Sequence, residues 1–236
     1  MNISVVVPVY NEEDNLTILT AELKEVLDTL GRPYEVVFVD DGSADRSFQI
    51  LKELAAGDSV LRVMRFRENA GQTAAFAAGF AAARGDIIVT MDADLQNDPR
   101  DIPLLLKEME RFDVVCGWRH RRRDPWIKIV SSRIANAVRN MLSEKTVTDT
   151  GCSLKAFRRN DLMKLKLFKG MHRFLPTLLK IEGCTVTEVK VNHRERRFGQ
   201  TKYNIRNRMV GSFVDLLAVR WMKQRHISYE IEEVIE

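Results

Sequence analysis

Two apolar runs near the N-terminus, Ser4-Val5-Val6-Val7 and Val36-Val37-Phe38-Val39, restrict the fold more than any other feature of the chain. They are continuous rather than alternating, so both faces of each strand must be covered. That is the condition of a parallel strand in a sheet with helices on both sides. The pattern recurs: strand-like runs at 3–9, 35–39, 60–66, 86–91 and 113–116 alternate with amphipathic segments around 15–30, 45–56, 73–84 and 102–111. Strand, helix, strand at this spacing predicts βαβ units and an α/β fold with a mostly parallel central sheet flanked by helices. In such sheets ligands bind beyond the carboxyl ends of the strands.

Past Cys116 the rhythm changes. A basic stretch at 119–123 precedes a predicted helix over 126–142, a strand over 153–158, a helix over 174–181, a strand over 185–191 and a last helix over 205–224. No internal repeat and no Gly/Ser/Pro linker interrupts the chain, which predicts a single domain over 1–225. Its halves, about 1–117 and 118–225, would complete one site, with 226–236 an acidic tail.

The formal net charge of +4 hides an asymmetry: residues 119–159 carry +8 and residues 190–208 carry +6, so the remainder is acidic. Such a split fits one half that holds cations and another that holds anions, although solvated helix faces give the same count. An apolar content of 45% excludes a disordered chain. The three cysteines are odd in number and far apart, which excludes a disulfide framework and a CxxC metal knuckle and favours a reducing, cytosolic context. The opening MNISVVVPVY lacks the basic region of a signal peptide. The apolar stretch 209–222 is broken by Asp215 and Arg220 and falls short of the ~20 residues of a membrane span. Neither a leader nor a transmembrane helix is expected.

Three of the strands end in polar clusters: Pro8-Val9-Tyr10-Asn11-Glu12-Glu13, Asp40-Asp41-Gly42-Ser43 and Asp92-Ala93-Asp94-Leu95-Gln96. All three should meet at one sheet edge. A single Asp after a strand is commonly a helix cap, and Asp45 and Asp98 fit that role. Two carboxylate pairs on one edge repel each other unless a cation sits among them. If the segment is extended, the oxygens of Asp92, Asp94 and Gln96 gather around one hard cation, and Mg²⁺ or Mn²⁺ is commonly shared with substrate phosphates, here a diphosphate. No GxGxxG follows the first strand, and no GxxxxGK[ST] or GxSxG occurs. Dinucleotide, P-loop and serine-hydrolase chemistry therefore have no support. Asn69-Ala70-Gly71-Gln72 is the one glycine-containing strand-to-helix turn of comparable character.

Taken in order from residue 3 to about 208, these motifs resemble those of the family 2 glycosyltransferases of GT-A fold. Gly117-Trp118-Arg119, Asp149-Thr150-Gly151-Cys152, Met171-His172-Arg173-Phe174 and the run from Arg196 to Tyr203 resemble the dolichyl-phosphate mannose synthase, or polyprenyl-phosphate glycosyltransferase, branch. The resemblance implies a Rossmann-like sheet whose first half binds a nucleotide sugar and whose second half binds an acceptor. Pro8, Tyr10, Asn11, Glu12, Asp40 and Asp41 would line the base and ribose. Asp92, Asp94 and Gln96 would hold Mg²⁺ or Mn²⁺. Arg119, Arg133, Arg196 and Lys202 would hold the phosphate of a polyprenyl (dolichyl or undecaprenyl) phosphate, the match at Arg133 resting on position alone. Asp94 and Asp149 would be the catalytic carboxylates, although Asp149 beside Gly151 also fits a turn residue.

The expected activity is inverting, metal-dependent transfer of a hexose to a polyprenyl phosphate at the cytosolic membrane face. A phosphate monoester is mostly a dianion at neutral pH and needs cationic positioning more than a general base. The alternative keeps the donor but uses a sugar hydroxyl acceptor, as in polysaccharide or glycolipid synthesis; a carboxylate base then becomes obligatory. A nucleic-acid surface is disfavoured, because the acidic edge would repel a phosphate backbone. The apolar stripe of 126–142, flanked by cations, fits either a membrane-surface helix or a core helix, and 209–222 is a second candidate for membrane contact or self-association. Relatives of this branch often carry transmembrane helices after the catalytic domain, so a peripheral enzyme or an anchor subunit is the corollary.

Overall fold

The computed structural model describes residues 2–119, 147–196, 198, 205–227 and 232–233. The predicted 126–142 helix, Arg133 and Lys202 lie outside them. The elements are β1 (Ile3–Val9), α1 (Glu13–Asp28), β2 (Tyr34–Asp40), α2 (Ser47–Ala55), β3 (Leu61–Arg65), α3 (Gln72–Ala82), β4 (Ile87–Thr90), α4 (Ile102–Glu108) and β5 (Val114–Arg119). They continue with β6 (Lys155–Arg158), α5 (Arg159–Leu162), α6 (Leu175–Ile181), β7 (Val186–Val191) and α7 (Ile205–Gln224). One seven-stranded sheet runs in the order β3-β2-β1-β4-β6-β5-β7. Every pairing of β1 to β4 and of β5 with β7 is parallel, whereas β6 is antiparallel to both neighbours. The α/β expectation holds, and the sheet continues across residue 117 instead of dividing there.

The reversed strand has a functional consequence. Parallel strands deliver their carboxyl ends to one edge, but β6 begins at that edge, with Lys155 opposite Thr90 and Cys116. The residues that enter β6 therefore join those that leave β1, β2 and β4.

The continuous apolar runs are buried on both faces, as their composition requires. Val5, Val7, Val9 and Phe38 face Leu16, Leu19, Leu23 and Leu27 of α1 together with Ile102 and Leu105 of α4. On the opposite face Val6, Val37 and Val39 meet Phe76 and Phe80 of α3 and Leu175 and Leu179 of α6. Each fully buried leucine contributes roughly 1.5–3 kcal/mol. Close approach of α3 to the sheet depends on Gly79, where an added Cβ would lie 2.3 Å from Val6 Cγ1. A smaller cluster seats Leu216 and Val219 of α7 against Met171, Phe174 and Leu178. Among the described residues no helix is long and apolar enough to cross a membrane.

The edge opposite the strand ends is held by one buried polar network. Glu35 Oε1 accepts from Ser4 Oγ at 2.7 Å and from the Arg84 amide at 2.6 Å, while Arg62 Nη1 donates to Oε2 at 2.8 Å. Burial alone would raise the Glu35 carboxyl, but Arg62, Ser4 and Arg84 outweigh it and hold the group below its ordinary 4.5. A carboxyl lowered on folding stabilises fully above its unfolded value, and that stabilisation is lost as pH falls through the folded one. Glu35→Gln should therefore lose about 1–2 kcal/mol at neutral pH. The difference from wild type should shrink in urea unfolding as pH is lowered below the ordinary carboxylate range. An equal difference across that range would show that Glu35 is not the group responsible.

Candidate active site

The loops after β1 and β2 are stitched to each other by side chains. Ser43 Oγ accepts from the Asn11 amide at 2.9 Å, Asn11 Oδ1 from the Ala44 amide at 2.8 Å, and Ser47 Oγ from the Glu12 amide at 2.8 Å. Asn11 sits at φ 53, in the left-handed region that Asn tolerates better than most residues. This places Pro8 and Glu12 half-buried and Tyr10 exposed, side by side at the rim. Asp45 accepts from the Glu13 and Ser47 amides, and Asp98 from the Arg100 amide, so both have the capping role that a lone Asp suggested.

Asp40 and Asp41 are adjacent in sequence and differ in employment. Asp41 accepts from the Ala70 amide at 2.8 Å, the Gly71 amide at 3.0 Å and Asn69 Nδ2 at 3.0 Å. It is the tether of the 69–71 turn. Burial raises its carboxyl, against the lowering by the Ala70 and Gly71 amides. The turn also presses on Gly42, at φ +70, where a Cβ would lie 2.7 Å from the Glu68 carbonyl carbon. Asp40 is fully buried, and its Oδ2 takes part in no hydrogen bond, with Arg65 Nε 3.3 Å away.

Asp92, Asp94 and Gln96 leave β4 in a turn and not as an extended segment, contrary to the expectation from their spacing. Leu95 has φ 59, a strained value for a bulky residue, and is kept there by its burial in the core. The Gln96 amide donates to Asp94 Oδ1 at 3.2 Å, and the two side chains converge on Arg196, whose Nη2 lies 2.6 Å from Asp94 Oδ2 and 3.4 Å from Gln96 Oε1. Gln72, the first residue of α3, donates to Asp92 Oδ1 at 2.8 Å. Burial raises the Asp92 carboxyl, opposed first by a hydrogen bond from Ser153 and then by the charges of Lys155 and Arg119. Burial and the charge of Asp92 raise Asp94, opposed by Arg196. Among the described residues no three His, Cys, Asp or Glu side chains form a metal cluster; the turn brings together two carboxylates and an amide.

The residues entering β6 complete the edge. Arg119 grips Asp149 in a two-pronged pair, Nε to Oδ2 at 2.7 Å and Nη2 to Oδ1 at 2.8 Å, and Glu188 accepts from the Thr148 and Asp149 amides. The segment with Arg196 is clamped over the Asp94 turn by Arg194, which reaches Glu22 at 2.6 Å and Asp98 at 2.7 Å. Two of the four cations expected at the acceptor phosphate thus already face carboxylates. Gln72 and Arg194 were missed from sequence. Gln72 lies within the 69–72 turn, whose sequence does not show that its amide reaches Asp92, and Arg194 makes its contacts across 172 and 96 residues, which no local pattern reports.

Residues 4–166 match the sequence profile described as Glycosyl transferase family 2. The chain belongs to that family. A family 2 relative, the undecaprenyl-phosphate 4-deoxy-4-formamido-L-arabinose transferase of Edwardsiella ictaluri (strain 93-146), is 39% identical over 206 residues, covering 86% of this chain and 63% of the relative. The chain therefore spans less than two thirds of that relative's length. Among solved structures, the glucosyl-3-phosphoglycerate synthase of Mycobacterium tuberculosis with Mn²⁺, UDP and phosphoglyceric acid matches with a TM-score of 0.68 at 21% identity, covering 96% of this chain and 80% of that one. The same enzyme with Mg²⁺ and UDP gives 0.64 at 19%, covering 94% and 79%. At such identity the likeness shows the fold, here GT-A.

The contrast between the two neighbouring aspartates is testable. Asp41→Asn places an amide among N–H donors and should cost about 1–3 kcal/mol in urea unfolding. Asp40→Asn, with one oxygen outside any hydrogen bond, should cost clearly less. Equal losses would remove the assignment of Asp41 as the tether.

Proposed function

We propose that this family 2 domain transfers a hexose, with inversion, from a nucleotide diphosphate sugar, its first half holding the donor and its second half the acceptor. One observation carries the reading: Asp40, Asp92 and Asp94 gather at a single sheet edge, where burial keeps Asp92 and Asp94 raised, aided by the charge of Glu12 on Asp92 and of Asp92 on Asp94. Carboxylates so placed call for a cation, and the all-oxygen set of Asp92, Asp94 and Gln96 suits Mg²⁺ or Mn²⁺ with further oxygens from a diphosphate. The metal ions named with the solved relatives support this choice. When bound, the ion offsets charge on the departing diphosphate.

The side chains of this domain do the remainder. Pro8, Tyr10, Asn11 and Glu12 form the wall beside the base and ribose, and Asp40, whose Oδ2 is closed off against Arg65, serves the nucleoside once that pair opens. Asp41 acts one step removed, by holding the 69–71 turn. Gln72 orients Asp92. Arg196, paired with Asp94, would turn toward a phosphate if that carboxylate served a metal ion.

For the acceptor, the 39% identical relative supports a polyprenyl phosphate held by Arg119, Arg133, Arg196 and Lys202. A second reading, a hydroxyl acceptor, has the more direct support from the solved structures, since one holds phosphoglyceric acid. The existing pairs of Arg119 and Arg196 favour it too. In that reading Asp149 is the candidate base, although both its oxygens now serve Arg119. Peripheral attachment to the cytosolic face of a membrane, directly or through an anchor subunit, belongs to the first reading. The α7 surface supports it: Phe213, Leu217 and Trp221 are exposed at intervals of four, beside the cations Lys223 and Arg225.

Transfer of labelled sugar from a panel of nucleotide sugars, with Mn²⁺, to farnesyl phosphate and to phosphoglycerate or free glycosides separates the readings. Asp94→Asn should lower turnover at least a hundredfold with every acceptor. Near-normal turnover in that variant would contradict the metal assignment. Labelling of farnesyl phosphate alone supports the lipid-phosphate reading, and labelling only of hydroxyl acceptors supports the other.

A further inference from the structure

Lys155 opens β6 in an otherwise apolar strand and is only 4% exposed. Its register partners are Thr90 and Cys116, themselves 2% and 0% exposed, so the lysine stands in the middle of the sheet at the edge where β4 ends. The alternation of β6 puts Ala156 with the α1 core and Phe157 with the α3 core, and Lys155 shares the face of Phe157. Asp92 follows Thr90 by two residues and is reached from that same face by Gln72 of α3. Among the described residues the Lys155 ammonium takes part in no hydrogen bond and no ion pair. Its charge is felt at Asp92, Cys116 and Cys152. The carboxylates nearby are otherwise engaged, Asp149 by Arg119 and Glu188 by two backbone amides.

A lysine this deep is ordinarily paired, and the Lys155 ammonium is not among the closed-off polar atoms that lack a hydrogen-bond partner, so it stands where the site can reach it. The cost of its burial is met where a ligand supplies the missing counter-charge. We propose that Lys155 is a substrate-binding residue whose ammonium receives a phosphate oxygen at the floor of the site, between the Asp92 turn and the Arg119–Asp149 pair. The proposal rests on the glycosyl-transfer reading and adds to it a cation that none of the motifs marks. Two sources offer that oxygen, the diphosphate of the donor and a phosphate on the acceptor. A lysine is suited to this position because its ammonium is a point charge that donates to a phosphate oxygen from several directions, whereas a guanidinium favours a planar pair.

The test uses the full chain. Inorganic pyrophosphate with Mn²⁺ stands for the donor and farnesyl phosphate for the acceptor, and each is titrated calorimetrically into wild type, Lys155→Met and Lys155→Arg. Lys155→Met should fold with an unchanged or raised Tm, since a buried charge is removed, while affinity for one probe falls roughly ten- to hundredfold. Lys155→Arg should recover part of the loss. A loss confined to pyrophosphate assigns the donor, and a loss confined to farnesyl phosphate assigns the acceptor. Unchanged affinity for both overturns the proposal. If Lys155→Met fails to fold, ¹³Cε-lysine spectra of wild type, with the Lys155 signal assigned from Lys155→Arg, decide the matter: a shift on adding either probe supports the site, and no shift with either overturns it. Sugar transfer by wild type is followed in parallel. Transfer without any Lys155 response removes this inference and leaves the function standing, whereas a Lys155 response without transfer from any donor contradicts the function and not the phosphate site.

Discussion

The crowding of two carboxylates at the end of β4, Asp94 buried and Asp92 half-buried, is the constraint around which this domain is arranged. Asp92 and Asp94 are two residues apart on a turn whose path is fixed by the left-handed backbone of buried Leu95. That path holds the two carboxylates close together, and positive charge is brought to both. Arg196 reaches Asp94, and Lys155 and Arg119 lower the cost of ionising Asp92. The chain achieves this by reversing one strand. Because β6 starts where the parallel strands finish, its entry brings Lys155 and the Arg119–Asp149 pair to the acidic edge. Arg196 arrives from beyond β7, clamped through Arg194 to Glu22 and Asp98. The acidic first half and the basic second half are two sides of one electrostatic balance.

Much of the fold was legible because burial on both faces leaves a plain record in sequence. The runs at Val5–Val7 and Val36–Val39 admit few structures other than buried parallel strands, and the helices between them have leucines at the spacing that faces a sheet. The final helix, expected over 205–224, is found there. What the pattern does not carry is strand direction. The apolar run 153–158 reads alike as parallel or antiparallel, and only the return of the chain to the strand-end edge decides it.

The site was legible in its parts and less so in its connections. The motifs at 8–13, 40–43 and 92–96 do meet at one edge. Sequence does not distinguish Asp40, with an oxygen outside any hydrogen bond, from Asp41, which holds the 69–71 turn; that depends on where a turn 28 residues away comes to rest. Nor does it show that Arg119 and Arg196 face carboxylates, because those pairs join segments 30 and 102 residues apart. Spacing implied an extended Asp-x-Asp-x-Gln ladder, and the left-handed Leu95 made it a turn. A cation reserved for a substrate phosphate and a cation neutralising an internal carboxylate have the same letter in a sequence. Arg196 pairs with Asp94, and its letter alone does not distinguish that pairing from a contact with phosphate.

The central claim is that a divalent cation and a nucleoside diphosphate occupy this edge together, each completing the site of the other. Calorimetric titration of UDP and GDP into the full chain, in Mn²⁺ and again in EDTA, tests it directly. Shared occupancy requires the preferred nucleotide to bind at least tenfold more tightly with the metal than without, a gain of about 1.4 kcal/mol or more. It also requires Mn²⁺ alone to bind weakly, because Arg196 already serves Asp94. Equal nucleotide affinity in Mn²⁺ and EDTA would contradict the account.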